Sequence, residues 1–493
     1  MASSVWDLYH LRGNPFFQEP LGGDLAPSTN EESDLFVGRV VELERALREV
    51  THSSRTRAVI LGEAGVGKTT FLNRLREELD DASRTPRLIT HTPAIRIQGG
   101  WNSVDFCAEI LRTILLMRAT RKPKVLGSTR LGVIADALRV AGQAITVPDF
   151  WDRVTQAVEG RQILGWSVQA GGGNPLVNAQ GGVGVTPAWA PPTIPPATLL
   201  PATLHAIRIA SEELGGELVF FLNNLENLSR ADARHAAGLF LDVRDLFLAD
   251  AAHWVVCGTT EIDRMILRAT PQVEGIFPAA LELEPLSAAE VADLLRKRYH
   301  AMRRGMAPVI PPITPEDGAT LYGLYHGNLR SFLKLLQDAV LAGAGPGGAR
   351  SLTTDRVLAL MGRQHLRAVR DGMGKTAWGY LVDTVLGPTS AAPLWGAFRQ
   401  VDAAARTGRK ASVIKPHFDT WIETGAITAL DEPPAGHRTG GRGDWYRLSG
   451  NAATALAALA LNDGRDVMPL IDGSVGATST ELVLPAAAQA PVP

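Results

Sequence analysis

The stretch Leu61-Gly62-Glu63-Ala64-Gly65-Val66-Gly67-Lys68-Thr69-Thr70 matches the pattern G-x-x-x-x-G-K-[ST] without a gap. Residues 58–61 before it predict a short buried strand, and residues 71–79 after it predict an amphipathic helix. Glycines between a strand and a helix let backbone N–H groups close around phosphate groups, and the helix N-terminus adds a favourable dipole. The sequence therefore predicts a phosphate-binding loop made of Gly62, Glu63, Ala64, Gly65, Val66, Gly67, Lys68, Thr69 and Thr70.

Two side chains of this loop have specific expected partners. Lys68 is expected to reach the β- and γ-phosphates of a nucleotide, and the Thr69 hydroxyl is expected to bind Mg²⁺. The predicted ligands are therefore ATP or ADP with Mg²⁺. The alternative is a glycine-rich turn that binds nothing.

Length and composition set the class of protein. A chain of 493 residues is long enough for roughly three domains. Its net charge of −2 argues against a general polyanion-binding surface, so any contact with nucleic acid must come from a local patch. The two cysteines, Cys107 and Cys257, lie in apolar segments and are expected to be reduced core residues. With no basic leader and no long apolar run, we expect a cytoplasmic protein without a membrane partner.

Several further segments share a pattern of apolar residues followed by polar ones. Residues 35–39 (Leu-Phe-Val-Gly-Arg) precede a predicted helix, and residues 217–222 form an apolar strand ending at Asn223 and Asn224. A second buried strand ends at Thr259. Ser287 and Glu290 form a capping box that opens a helix, and residues 327–333 (Gly-Asn-Leu-Arg-Ser-Phe-Leu) start another.

In this order, the Phe-Val-Gly-Arg turn, the phosphate-binding loop and the later elements resemble AAA+ ATPases. The closest resemblance is to origin-recognition and replication-initiator ATPases, with related bacterial transposition-helper and STAND-type signalling ATPases. It covers most of residues 36–340 and, more loosely, the C-terminal region. It implies an α/β fold: a P-loop NTPase core with a parallel sheet, a helical lid and a C-terminal winged-helix domain.

The resemblance also implies roles for individual residues. Arg39 and the backbone around it would meet the nucleotide base, Thr259 would sense the γ-phosphate or the attacking water, and Arg330 would reach the γ-phosphate from the lid. Arg264 or Arg268 would lie near the place of an arginine finger. For each of these the alternative is an ordinary surface arginine or a strand cap.

The strand that ends at Asn223 departs from the family pattern. The family places two carboxylates there, one to organise Mg²⁺ and one to polarise water, and this chain has the amides of Asn223 and Asn224. An amide can bond a metal-bound water but supplies neither negative charge nor a general base. We therefore expect weak Mg²⁺ binding through Thr69 and Asn223, and slow hydrolysis unless Glu226 acts as the base. On a continuing strand Glu226 would face the same side as Asn224; a solvated loop acid is the alternative.

Three regions are candidate contacts for DNA or a partner protein. Glycine-rich residues at about 160–196 predict a hairpin inserted in the core, and residues 118–130 form a local basic cluster. In the C-terminal region, three helices and two strands predict a winged helix whose third helix covers residues 411–423. The candidate nucleic-acid residues are Arg409, Lys410, Lys415, Arg438 and Arg442, contacting duplex DNA and its phosphates.

The predicted organisation has five parts: an N-terminal arm (1–35) that packs Phe16 and Phe17 on the core, the core (36–285), a helical lid (286–370), a winged-helix domain (371–463) and a disordered tail (464–493). The predicted function is an ATP-binding switch with slow ATPase activity, which couples nucleotide state to engagement of DNA or a partner and forms homo-oligomers when ATP binds. The alternatives are a signalling or defence ATPase whose winged helix docks protein, and a nucleotide-binding scaffold that does not hydrolyse ATP.

Overall fold

A computed structural model describes residues 4–21, 35–52, 55–81, 86–91, 94–121, 196–277, 280–344, 350–387, 394–430 and 444–465. The predicted hairpin insertion up to residue 195, most of the basic cluster at 118–130, the candidate DNA residues Arg438 and Arg442, and the tail from residue 466 lie outside these ranges.

The core contains a parallel sheet in the order β2-β4-β5-β1-β6, and β3 also pairs with β4. Its strands are β1 (Arg57–Leu61), β2 (Leu88–Ile89), β3 (Ile95–Arg96), β4 (Glu217–Asn223), β5 (Ala252–Gly258) and β6 (Leu281–Glu282). All residues of β5 and all but the first of β4 are buried, as expected for parallel strands covered on both faces. The predicted α/β class is confirmed.

Helices cover both faces of this sheet. They are α1 (Val40–Thr51), α2 (Lys68–Leu79), α3 (Ser103–Arg121), α4 (Pro196–Leu214), α5 (Arg230–Asp242), α6 (Arg244–Phe247), α7 (Thr260–Ile262) and α8 (Pro271–Glu274). Residues of β4 and β5 point alternately into two hydrophobic clusters, one under α1 and α2 and the other under α3, α4 and α5. The carboxyl ends of β1, β4 and β5 therefore meet at one edge, where the phosphate-binding loop lies.

The lid consists of α9 (Ala288–Ala301), α10 (Pro315–Tyr322), α11 (Leu329–Gly343) and α12 (Thr354–Val385). The predicted capping box is present, because Ser287 and Glu290 cap the start of α9 reciprocally. α12 continues past residue 371 into the winged helix, and its only non-helical residue is Gly374, with φ of 80°. Glycine adopts this conformation without the steric cost of a side chain, so a kink forms here.

The winged helix continues with β7 (Phe398–Arg399), α13 (Gln400–Thr407), α14 (Ala411–Glu423), β8 (Ile427–Leu430), β9 (Trp445–Leu448) and α15 (Gly450–Asn462). β7, β9 and β8 form an antiparallel sheet. α15 then returns to the lid: the backbone of α12 at Gly362 lies directly against Ala458, and Thr454 lies beside Tyr325. The lid and the winged helix consequently share one hydrophobic cluster.

The N-terminal arm packs on the lid, where the sequence predicted packing on the core. Phe16 is fully buried in the hydrophobic cluster of the lid, and the guanidinium of the buried Arg298 lies 4.0 Å from the centre of the Phe17 ring. Arg298 also donates hydrogen bonds to the carbonyl oxygens of Pro15 (3.1 Å) and Phe17 (2.8 Å). The arm ends on the core, where the backbone of Leu21 bonds to α2. It therefore bridges lid and core.

Within the ranges described above, no helix combines the length and the apolar character needed to cross a membrane.

Candidate nucleotide-binding site

The phosphate-binding loop connects β1 to α2 as predicted. Gly65 and Gly67 adopt left-handed conformations with φ of 80° and 101°, and a side chain at Gly67 would meet open space. The amide of Gly62 donates to Gly258 O at 3.2 Å, which fixes the loop beside the end of β5. α2 begins at Lys68 without a side-chain cap, so its first N–H groups face the loop. This backbone fits a phosphate group.

Lys68 lies over the loop and is almost fully buried. Its Nζ donates to the carbonyl oxygens of Gly62 (3.0 Å) and Glu63 (3.1 Å), and Glu226 Oε1 lies 3.5 Å away. The second carboxylate oxygen of Glu226 is buried and has no hydrogen-bond partner among the described residues. The loop, a lysine and an acid are therefore brought together.

The route by which Glu226 reaches Lys68 differs from the prediction. β4 ends at Asn223, Asn224 takes a left-handed conformation with φ of 65°, and Glu226 sits in a 3₁₀ turn (Leu225–Asn227). The expected continuing strand is wrong, and the turn carries Glu226 towards Lys68 instead. Asn tolerates the left-handed region better than most residues, so Asn224 has a backbone role here.

Asn223 and Thr69 line one cavity of about 140 Å³ beside the loop. Asn223 is buried, and its Oδ1 has no hydrogen-bond partner among the described residues. Arg76, His91 and Arg96 line the same cavity. A buried acceptor without a partner is costly, and a bound polar ligand would relieve that cost.

The donors around Thr69 fit a nucleotide phosphate but not a resident Mg²⁺ ion. Mg²⁺ prefers carboxylate oxygens, whereas this cavity offers a hydroxyl and an amide beside two arginines. Glu226, a carboxylate near the loop, faces the Lys68 ammonium. In the described ranges, no cluster of three or more His, Cys, Asp or Glu side chains is arranged to hold a metal. The predicted metal ligands Thr69 and Asn223 do lie together, but without the charge that such a site needs.

The remaining predicted site residues have protein partners or are exposed. Thr70 Oγ1 accepts a hydrogen bond from Leu21 N (3.3 Å), and Thr259 Oγ1 accepts from Ile262 N (3.4 Å) as the cap of α7. Arg268, one of the two arginine-finger candidates, bonds to Asp263 and Phe277 O within the core. Arg264 is exposed. The proposed γ-phosphate role of Thr259 stays a prediction.

Arg39 is buried and joins the loop to the start of the lid. Its Nη2 donates to Val66 O (3.1 Å) and to Glu284 O (2.5 Å), and burial lowers the pKa of its guanidinium. Its contact with a base stays a prediction, and the observed contacts give it a structural role between loop and lid.

The start of α11 touches the loop directly. Leu329 N donates to Gly65 O at 3.0 Å, and the side chain of Asn328 lies so close to Gly65 that a Cβ there would clash. Arg330 is exposed on the first turn of α11. The lid therefore contacts the loop through Asn328 and Leu329, while the role of Arg330 stays a prediction.

The winged helix contacts the loop as well. Arg447 on β9 forms a 2.6 Å ion pair with Glu63. His326, at the end of a 3₁₀ turn of the lid (Gly323–Tyr325), is half-buried beside this pair with its Nε2 enclosed, and desolvation together with Arg447 lowers its pKa to about 4. Neither Arg447 nor His326 was predicted as a site residue, because local sequence patterns do not report contacts between distant segments, such as Glu63 and Arg447, which are 384 positions apart.

The described candidates for nucleic-acid contact lie on one exposed surface. Arg409 and Lys410 precede α14, Lys415 lies within it, and all three are exposed. His417, also on α14, packs against Tyr380 with ring centres 4.5 Å apart. Three basic side chains at the start of the third helix thus face solvent.

Comparison with known proteins gives structural similarity only. No family model and no curated protein matches the chain. Similar solved structures include the ORC1 protein of Aeropyrum pernix in complex with DNA (10% identity, TM-score 0.39), covering 87% of this chain and 94% of that one. They also include CDC6P of Pyrobaculum aerophilum (14% identity, TM-score 0.40; 90% and 98% covered).

The ORC2 protein of Aeropyrum pernix, solved as ADPNP–ADP complexes, is similar at 13% identity with a TM-score of 0.38, covering 89% of this chain and 94% of that one. The likeness is one of fold, and the function proposed for this chain rests on its own residues.

Proposed function

We propose that this protein is an ATP-binding switch in which the nucleotide state of the loop controls the position of the lid and the winged helix, and through them the binding of duplex DNA. The observation that supports this most is that the loop is contacted on two sides, by Leu329 of the lid at Gly65 and by Arg447 of the winged helix at Glu63.

Lys68 provides the physical link. Its ammonium bonds to the carbonyl oxygen of Glu63, the same residue whose carboxylate holds Arg447. A terminal phosphate would attract Lys68 more strongly than a carbonyl does, because that hydrogen bond is charge-assisted. Release of the Glu63 carbonyl would then change the backbone that supports the Glu63–Arg447 pair.

The same movement would affect Glu226. When Lys68 turns to phosphate, the carboxylate of Glu226 loses its ion-pair partner and is left as an acid beside the loop. We propose that any hydrolysis uses Glu226 as the base and is slow, since Asn223 and Asn224 cannot accept the proton. Binding, more than turnover, would then drive the switch.

The proposed DNA surface is the start of α14. Arg409, Lys410 and Lys415 are exposed and would contact phosphates, which makes binding salt-dependent. Assembly into homo-oligomers on ATP binding is part of the same proposal.

The test measures ATP binding and duplex binding on the full chain. Wild type should bind ATP, and Lys68→Ala should weaken binding by at least about tenfold through loss of a charge-assisted bond. Duplex affinity should differ between ATP-bound and nucleotide-free wild type, and this difference should vanish in Lys68→Ala. Failure to bind ATP at millimolar concentration would overturn the proposal.

Two variants then separate the roles of charge and catalysis. Replacing Arg409 and Lys410 by Ala should reduce duplex affinity and flatten its salt dependence, with Arg45→Ala on the exposed face of α1 as the control. Glu226→Gln should abolish any ATP turnover while leaving ATP binding in place. Equal turnover in wild type, Lys68→Ala and Glu226→Gln would remove the catalytic role.

A second candidate is favoured by the Glu63–Arg447 contact itself. The winged helix already contacts the loop of its own chain through the Arg447–Glu63 ion pair. In this candidate the protein is a signalling ATPase, and nucleotide binding breaks that contact so that the freed surface of the winged helix binds a protein partner. Duplex binding that is absent at low salt, together with ATP-dependent assembly, would select this candidate. If the protein binds ATP but shows no turnover, no assembly and no duplex binding, the result would favour the alternative of a nucleotide-binding scaffold that does not hydrolyse ATP.

A further inference from the structure

The exposed face of α12 carries a row of arginines, which we call the arginine stripe. It consists of Arg356, Arg363, Arg367 and Arg370, all of them exposed. In a helix of 3.6 residues per turn, this spacing places the four side chains within an arc of about 60°. The stripe therefore runs along one side of the helix for roughly 21 Å.

The hydrophobic contacts of α12 determine which way the stripe faces. Val357, Leu358 and Met361 are buried in the cluster shared by the lid and the winged helix, and Gly362 lies against Ala458 of α15. At 100° per residue these positions occupy the side of α12 opposite to the stripe. The packing of the helix thus holds the arginines towards solvent.

No acidic residue neutralises the stripe. The sequence has no Asp or Glu between Arg356 and Arg370. In the described part of the chain, the only hydrogen bond of these four guanidinium groups runs from Arg363 Nε to Ala359 O (3.2 Å), and none of them forms an ion pair. In other helices basic side chains pair with an acid four residues away: Arg45 with Glu49, Arg74 with Glu78 and Lys334 with Asp338.

The spacing of the stripe also places like charges side by side. Arg363 and Arg367 are four residues apart, and Arg367 and Arg370 are three apart. Like-charge pairs at these spacings destabilise a helix. Asp355 and Asp371, next to its two ends, leave an excess of positive charge. A row of anionic groups would remove this repulsion, so the stripe is complementary to a polyanion.

The surface beside the stripe offers charge without an apolar anchor. Leu360, Leu366 and Val369 of the same segment are partly buried against the hydrophobic cluster. Protein interfaces have an apolar or aromatic centre, and helices that lie on membranes insert Leu, Phe or Trp. The phosphates of nucleic acid need only cations, and arginine binds phosphate oxygens through two parallel N–H groups. The stripe spans the length of about six base pairs of a duplex, so several phosphates lie within its reach.

We propose that the arginine stripe is a second phosphate-binding surface for duplex DNA, separate from the start of α14. The inference rests on the duplex binding proposed above and adds a contact by the lid to that of the winged helix. Phosphate contacts carry no sequence information, so the stripe raises the affinity for duplexes of any sequence.

The experiment measures the duplex affinity of the full chain at several salt concentrations, with one duplex of mixed sequence. The stripe variant combines Arg363→Gln, Arg367→Gln and Arg370→Gln, since glutamine keeps the helix propensity and removes the charge. Its affinity should be at least about tenfold lower at about 0.1 M salt. The slope of log affinity against log salt should become shallower by about 2 to 3, because each phosphate contact contributes about 0.9. Arg367→Gln alone should change this slope by about 1.

A matched control removes three exposed arginines that each pair with a glutamate. It combines Arg45→Gln, Arg230→Gln and Arg296→Gln. The net charge changes by the same amount as in the stripe variant, and the slope should stay that of wild type. The stripe variant should melt at or above the temperature of wild type, because two like-charge pairs are removed. If it melts lower, Arg367→Gln alone decides.

The outcomes separate this inference from the proposed function. A stripe variant with the affinity and slope of wild type overturns the inference and leaves the contact at α14. Equal losses in the stripe variant and the control also overturn it, because net charge then explains the effect. Unchanged duplex affinity with weaker binding to phosphatidylserine vesicles would assign the stripe to a lipid surface instead. A wild-type chain that binds no duplex at low salt overturns the proposed DNA binding itself.

Discussion

His326 should make the junction between the loop, the lid and the winged helix sensitive to acid. It is half-buried next to Arg447, and its pKa is lowered from 6.5 to about 4 by desolvation and by that arginine, against smaller opposing effects of Glu63 and of a hydrogen bond with the backbone of Leu448. The imidazole is therefore neutral in the folded protein under conditions where the unfolded chain already binds a proton. Folding is favoured above pH 6.5 by this group, and the advantage is lost as pH falls towards 4.

The size of the effect follows from the shift. A full shift of this size corresponds to about 3 kcal/mol, and between about pH 7.5 and about pH 5 the loss is about 2 kcal/mol. The variant His326→Asn removes the titrating group. Asn suits the left-handed backbone at this position, where φ is 47°, so the turn should survive.

Two measurements test the prediction. The ¹³C-histidine resonance that disappears in His326→Asn should titrate near pH 4 in wild type. The urea midpoint of the transition that involves the lid should fall less between the two pH values in His326→Asn than in wild type, whereas the control His235→Gln, which removes an exposed histidine, should behave like wild type. A His326 resonance that titrates at pH 6.5 or above would refute the reasoning.

Three further predictions concern the packing of the lid, the N-terminal arm and the winged helix. Gly362→Ala, which places a methyl group against Ala458, should cost about 1–3 kcal/mol and lower the melting temperature, while Gly379→Ala on the same helix meets open space and should raise it slightly. Arg298→Met should leave two carbonyl oxygens of the arm unpaired and make residues 4–21 more sensitive to limited proteolysis; unchanged cleavage would contradict the bridging role of the arm. Trp421→Phe removes the 2.9 Å hydrogen bond to a buried backbone carbonyl and should cost about 1–3 kcal/mol in urea unfolding, so an unchanged midpoint would count against it.

Local patterns predicted the elements that local physics determines. The helix at residues 411–423 has the expected bounds, because apolar spacing and flanking turn residues set them. The glycine-rich loop between β1 and α2 was likewise visible from the motif alone. In each case the signal lies within about ten residues of the feature.

Contacts between distant segments could not be predicted in this way. The strand β4 ends because Asn224 adopts a left-handed backbone conformation, which the sequence does not reveal. The prediction of a continuing strand at Glu226 was therefore wrong. The Glu63–Arg447 pair joins residues 384 positions apart. The N-terminal arm packs on the lid, where Arg298 donates two hydrogen bonds to its backbone. Such partners are fixed by the three-dimensional arrangement of whole domains.

The return of α15 to the lid has a mechanical consequence. Since α12 enters the winged helix from the lid and α15 packs back on the lid, the two parts are joined twice and would move as one unit. The straight segment of α12 before its kink at Gly374, residues 354–373, is roughly 30 Å long. A rotation of this helical segment by about 10° about one end would move its other end by roughly 5 Å. Under the proposed function, a slight change at the loop would reach the basic start of α14 as a displacement of several ångströms.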